Sequence, residues 1–549
     1  MKGGGYLTLA ELVNNVFQFR SAILLPLLAL TGLVTAECKP NELPALTRVA
    51  KDVAEDGGGD WPEWGGTAAK NMVSTATGIP TDFDPGKIKG SSGEIDMATT
   101  KHLVWAARIG SQSHCAPTIA GGKVLIGTNN EVPRDKKHVG ERGILMCFDE
   151  KTGEFLWQLV VPKLGSGAVK NLDQSGICSS PLIHGNRAYV VTNRCQAACL
   201  DLDGFANGND GPFKDEAAYV LKPYQPPVEL GKTDADIIWL FDMRTELGVF
   251  PHSVSSSSPT IIDGKLVVTT SNGTDWSHLN VPGPEAPCLI TLDPDTGELI
   301  GEEAAGIARD TLHCNWSSPA VASIDGKPTI FFGGGDGFAY SFYTKAVENE
   351  KGFVVFPQNW RIDCNPPEYR VDPKGEKRKY GTVGGPSEIV ATPVLYDGHV
   401  YLATGQDPEH GEGAGMLSCI NATTGERVWE NKEIERTASS PSIVDGLVYI
   451  ADFRGRVHSI DAKSGEIYWS FDTGSHIWGS TLVVDGKVLV GNEAGEIIIL
   501  AAAKTKQEIA RIEFDAPIIA TPVVANGKLY ITTQKHVFAF AKQPTPAAK

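Results

Sequence analysis

The sequence predicts an all-β fold: an eight-bladed β-propeller of four-stranded antiparallel blades, closed by an N-terminal strand that pairs with the last blade. Three observations carry it: a strand-and-turn unit that recurs from about residue 112 onward, a glycine-rich composition, and a stray strand near the start that matches one missing from the final copy. The 549 residues include 60 Gly and 34 Pro with 41% apolar content, whereas ordinary usage is about 7% Gly. That combination marks many short strands and tight turns, and it excludes a coiled coil or wholesale disorder. Lys and Arg number 49 against 66 Asp and Glu, a net charge of −17. Such a chain repels polyanions, and no segregated basic stripe offsets the charge, so nucleic acid is excluded as a partner.

Each copy of the unit opens with a small or hydroxyl residue and a strand-start anchor: Pro117, Pro181, Pro259, Pro319, Pro393, Pro441, Thr481 and Pro522. A tight-turn pair follows in Asp263-Gly264, Asp397-Gly398, Asp445-Gly446, Asp485-Gly486 and Asn526-Gly527. These pairs suit two-residue hairpins because both positions must tolerate positive φ. After a third strand comes a polar turn and a fourth strand bearing Trp, as in Asp149 to Trp157, Asn421 to Trp429 and Asp461 to Trp469. A sheet of this kind cannot bury both faces alone, so its neighbours stack on it and the Trp fills the wedge between them. The last copy supplies only three strands, and Lys101 to Ile109, with Trp105, reads as its missing fourth. Pairing the two would close the ring and remove the open edges. Blades one to five carry insertions and the last three are nearly minimal, so function is expected on the early blades.

Ahead of the ring, Ser21 to Ala36 carries no charge, and its most apolar part is shorter than a membrane span of about 20 residues. It reads as a signal peptide cut after Ala36, with an uncleaved anchor as the alternative. The mature chain is then exported, periplasmic or envelope-associated, with no transmembrane span. Glu37 stands where a lipoprotein signal needs a small residue before Cys38, which disfavours lipid anchoring. The expected boundaries are a leader at 1–36, an extended lead-in at 37–94, the propeller at 95–543 and a tail at 544–549. Ten cysteines in an exported chain permit disulfides, and Cys195 and Cys199 are spaced to bridge, but most fall at matching places in the repeats, where core residues belong.

The turn-and-Trp element resembles the pyrroloquinoline-quinone (PQQ) repeat, shared by quinoprotein alcohol dehydrogenases and by the non-enzymatic propeller of the outer-membrane β-barrel assembly machinery. Asp60 to Gly66, Thr270 to His278, Trp316 to Pro319, Phe332 to Gly337 and Gly405 to Gly411 are similar to a PQQ-like propeller family common in planctomycete-type bacteria. The dehydrogenase resemblance implies PQQ over an aromatic floor, Ca²⁺ as Lewis acid and an Asp base. It also implies two adjacent cysteines over the quinone, and no Cys-Cys pair occurs in this chain. The resemblance therefore points first to a scaffold that takes an envelope protein, a polymer or a small molecule at one face. A PQQ- and Ca²⁺-dependent oxidoreductase for an alcohol or sugar is the alternative.

Residues just before each innermost strand should rim one mouth of the central channel. Among them are His114, His252, His313, Trp316, Arg436, His476 and Trp478, whose rings could stack on a flat ligand while the imidazoles bond or titrate. The alternative is that both Trp wedge between blades and the His face water. In the second blade, Asp201, Asp203, Asn207 and Asp210 gather oxygens among glycines, a composition suited to Ca²⁺ although the spacing is not that of an EF-hand. Asp407, Glu409, His410 and Glu412 form a further acidic, His-bearing loop.

Overall fold

Hydroxyl-proline starts and Asp-Gly turns resolve into eight antiparallel sheets in a computed structural model, which describes residues 59–90, 92–164, 174–221, 225–407, 410 and 415–542. The expected leader, Cys38, the tail at 544–549, and Glu409 and Glu412 lie outside the described residues. Blade one comprises Thr118–Ala120, Lys123–Asn129, Arg142–Asp149 and Phe155–Pro162, hydrogen-bonded in that order. Blades two, four, five and six repeat the pattern. Blade three gains two short outer strands, Val347–Glu348 and Val354–Val355, and blade seven gains Val73–Ser74 in parallel beside Leu482–Val484. The hairpin turns take the predicted form: Asp263, Asp397, Asp445, Asp485 and Asn526 all have φ near +50°, each followed by a glycine of positive φ.

The eighth blade is built from both ends of the ring. Leu103–Arg108 lies antiparallel to His536–Phe540, with Trp105 opposite Ala539 and Leu103 opposite Phe540. In six blades the outer strand carries a Trp that reaches the next blade. Trp105 Nε1 donates to Glu150 O, Trp157 to Leu202 O, Trp429 to Ala462 O and Trp469 to Ala503 O, all at 2.9–3.0 Å. The indoles of Trp105, Trp157 and Trp429 also lie against a glycine of the neighbouring blade. A Cβ on Gly153 would stand 2.6 Å from the Trp105 ring, and one on Gly465 would stand 2.5 Å from the Trp429 ring. The glycine of the polar turn is therefore a seat for the preceding blade's Trp. Trp239 and Trp360 play the same part in blades two and four, donating to Pro294 O and Ala422 O.

The hydroxyl residues before the prolines form a belt around the axis. Ser180 N–H donates to Ser258 Oγ, Ser258 N–H to Ser318 Oγ, Thr392 N–H to Ser440 Oγ, Ser440 N–H to Ser480 Oγ and Ser480 N–H to Thr521 Oγ1, all at 2.8–3.0 Å. Five of the eight junctions between first strands are thus tied by a side chain that the repeat keeps hydroxylated.

Residues 59–74 make a circuit of the inner strands. Asn526 N–H donates to Gly59 O, Ile119 N–H to Trp61 O, Ile183 N–H to Pro62 O, Val321 N–H to Ala68 O, Leu395 N–H to Ala69 O and Val483 N–H to Met72 O. Asn71 pairs through its amide with both backbone groups of Ile443, and Glu63 accepts from Thr260 Oγ1 in blade three. All eight blades therefore touch this thread, which is pinned by a buried ion pair between Lys70 and Glu63 at 2.5 Å. The nine cysteines among the described residues are all free thiols, Cys195 and Cys199 included, and all but Cys178 are buried. No helix among the described residues is long and apolar enough to cross a membrane.

Candidate functional site at the channel mouth

Above the hydroxyl belt the loops that lead into the inner strands frame a cavity of about 540 Å³. Its floor is Trp64 of the lead-in, whose Nε1 donates to Thr392 Oγ1, and its walls include His114, His252, Trp316 and Trp478. Trp276 and Leu279 stand at the rim, 62% and 82% exposed. They belong to a turn in which Asp275 accepts from Ser277 and Asn280, bonds that hold its carboxyl down at about 2. The same turn aims His278 inward.

His252, His313 and Trp316 come together. The His252 and His313 ring centroids are 4.3 Å apart, and Trp316 sets its edge to His313 at 4.8 Å while its Nε1 donates to Val254 O. Arg436, His476 and Trp478 form a second group around Phe453: His476 stacks on it at 4.5 Å, Arg436 lies over it at 5.1 Å, and Trp478 meets it edge-on and donates to Glu493. Trp478 lines the cavity and His476 is exposed. His114 lies on the cavity wall, a member of neither group.

Apart from the acidic, His-bearing loop at Asp407 and His410, sequence reasoning missed the rest of the first group. His278 and His410 lie with their ring centroids 5.1 and 4.4 Å from His313, and Tyr380 stacks on the other side of it at 5.5 Å. Tyr380 O–H donates to Glu388 Oε1, which stands 3.5 Å from His313 Nδ1, and Asp407 Oδ2 lies 3.3 Å from His410 Nδ1 and 3.8 Å from His313 Nδ1. His278 sits in a non-repeating insertion, and Tyr380 and Glu388 in another. Only the acidic loop at Asp407 and His410 carried a readable signal.

Burial sets the electrostatics. His313 and Glu388 are wholly buried, and neither ring nitrogen of His313 nor Glu388 Oε2 makes a hydrogen bond. Burial, reinforced by His313 nearby, pushes His252 down to about 4, so its imidazole is neutral at pH 7. His278 is likewise lowered by burial and by His410. Burial together with the Glu388 carboxylate pushes the Tyr380 phenol up.

In blade two, Asp201 and Asp210 do converge, together with Asp236, within 4.8 Å of one another, while Asp203 turns away to Lys123 at 3.1 Å. Asn207 bridges Asp201 and Asp210 through its amide at 3.4 and 3.3 Å. Asp236 Oδ1 and Glu216 Oε1 are buried without hydrogen bonds, and burial pushes Asp236 up to about 6, with Glu216 and Asp201 adding to the effect.

Comparison with known proteins places the chain among such propellers. A family model described as outer membrane protein assembly factor BamB matches residues 371–471 and 454–544. BamB of Yersinia pestis is 22% identical over 460 residues, covering 82% of this chain and 90% of the relative. Quinohemoprotein alcohol dehydrogenase ADH-IIG of Pseudomonas putida is 30% identical over 125 residues, so the chain spans only 16% of that protein's length. Among solved structures, BamB from Moraxella catarrhalis superposes with a TM-score of 0.51 at 16% identity, covering 80% of this chain and 99% of that one. ADHIIG from Pseudomonas putida superposes at 0.52 and 13% identity, covering 89% of this chain and 82% of that one. At these identities the superpositions show a shared fold.

Proposed function

From the premise that the chain is a propeller of PQQ-like repeats, related in repeat to BamB and to the quinohemoprotein alcohol dehydrogenases, we propose that it is an exported, protein-binding scaffold of the cell envelope. Its partner is an outer-membrane protein or a component of the apparatus that assembles one. The observation that carries this reading is the rim turn at Asp275 to Asn280, which holds Trp276 and Leu279 out in solvent on a hydrogen-bonded frame. A rigid, exposed Trp beside a Leu at the mouth of a funnel is the anatomy of a binding hot spot.

The oxidoreductase alternative fits the cavity poorly. A tricyclic quinone with three carboxylates needs cationic partners, yet none of the described residues lining the cavity is Lys or Arg, and Asp407 faces into it. The Asp201, Asp210, Asp236 and Glu216 cluster supports a second reading, a structural Ca²⁺ site, because its two unpartnered buried oxygens call for a cation.

Crosslinking in intact envelopes tests the scaffold reading. A photo-reactive residue at 276 should capture an outer-membrane β-barrel or its assembly partner, and Leu279→Ala should lower the yield about tenfold, a typical hot-spot loss. Crosslinks confined to soluble periplasmic enzymes, or none, would remove the scaffold reading.

A further inference from the structure

Four imidazoles from four different loops meet beside the cavity: His252, His278, His313 and His410. Donor atoms of His252, His278 and His313 lie within 4.8 Å of one another, as do those of His313, Asp407 and His410. The two triads share His313, the most deeply buried member. Packing four rings this closely gains little as hydrophobic core, because each carries two polar nitrogens that must be satisfied.

The hydrogen bonds leave donor atoms open. His252 Nδ1 faces Thr274 O at 2.7 Å, which fixes its proton there and leaves Nε2 as a lone pair. His313 leaves both nitrogens without a hydrogen bond in a fully buried position, and His278 Nε2 is also unbonded. Buried polar atoms without partners are rare in native proteins. A single cation at the centre would satisfy several of these atoms at once.

We propose that His252, His278 and His313 bind one late first-row divalent transition metal ion of the Zn²⁺ and Cu²⁺ class, with His410 and Asp407 beside them. The ligand chemistry selects the class. Imidazole nitrogens suit Zn²⁺, Cu²⁺, Ni²⁺ and Fe²⁺, whereas Ca²⁺ and Mg²⁺ want an all-oxygen shell. Four-coordinate zinc with bonds of about 2.0–2.1 Å needs donors roughly 3.4 Å apart, so the ion would draw the triad inward by about an ångström. One of the ligands, His278, comes from a non-repeating insertion of blade three. Trp316 and Tyr380 pack against His313 from either side and orient it, and the open side of the cluster faces the cavity, leaving a coordination position for a water or a ligand donor. The inference does not depend on which partner the rim binds.

The test uses the full mature chain without a polyhistidine tag, stripped with a chelator and titrated with Co²⁺, Cu²⁺ and Zn²⁺. About one ion per chain is expected, with visible Co²⁺ bands of a tetrahedral or five-coordinate site. Zn²⁺ should displace the Co²⁺, and excess Ca²⁺ or Mg²⁺ should not. The double variant His252→Gln, His278→Gln should bind at least about 100-fold more weakly, while His114→Gln should bind as the parent does. Nitrogen hyperfine structure in the Cu²⁺ resonance of the unmodified chain decides the matter even where the double variant does not fold. No ion bound, an oxygen-only Cu²⁺ spectrum, or equal affinity in a folded double variant would each overturn the proposal, and none of these would touch the crosslinking result at position 276.

Discussion

Lys70 is wholly buried with a φ of +61°, its ammonium 2.5 Å from Glu63 Oε2. Burial lowers its pKa and the Glu63 carboxylate opposes that shift. Removing one member leaves the other as an uncompensated charge in the interior. Lys70→Met should therefore cost about 3–5 kcal/mol in urea denaturation, and the double variant with Glu63→Gln should recover most of it. Asp336 makes a second test at this scale. Burial pushes its carboxyl from 3.8 up to about 7, against the opposing hydrogen bonds from Tyr340 O–H and Phe338 N–H. A carboxyl raised on folding binds its proton more tightly in the native state, so its contribution to stability is complete below the unfolded pKa and is lost as pH rises toward 7. Melting temperature should fall across that window, and Asp336→Asn should flatten the fall.

At the scale of elements, the repeat is a set of matched seats. Gly465 has a φ of +75° and lies under the Trp429 indole, whereas Gly446, also at +75°, has open space where a Cβ would go. Alanine at both positions carries the backbone strain, but only Gly465→Ala also meets a ring. Its cost should exceed that of Gly446→Ala by about 1–3 kcal/mol, the usual range for overpacking, read from paired denaturation curves. The blade-two cluster gives another test: millimolar Ca²⁺ should raise the melting temperature of the chain, and Asp236→Asn should abolish the response. An equal response in that variant would place the ion elsewhere.

These elements also show what the chain discloses before folding. Turns such as Asp445-Gly446 and the Trp429 and Trp469 wedges were legible because their spacing is local and repeats. Trp239 and Trp360 were not, since insertions separate them from their turns, although they do the same work. Of the mouth residues, His252, His313 and Trp316 could be found from their place before an inner strand. His278, Tyr380 and Glu388 could not, because long-range closure of a ring brings them together and no local period marks them.

Across the ring, residues 59–74 act as a common hub for all eight blades, and Asn71 shows how. Its amide substitutes for a strand, giving and taking one hydrogen bond with Ile443 at 2.8 Å each. Asn71→Ala should cost about 1–3 kcal/mol, the penalty for two buried backbone groups left unpaired, and should expose blade six to hydrogen exchange before its neighbours.

The pairing of Leu103–Arg108 with His536–Phe540 has a consequence for biogenesis. A nascent chain emerges from the ribosome in order, so the partner of its first ring strand is the last strand of the ring to be delivered. Seven blades can assemble early, but the circle stays unlatched until His536–Phe540 has emerged. Throughout that interval the unlatched edge is open to pairing with other chains and to holdase chaperones, and only the last ring strand withdraws it from their reach.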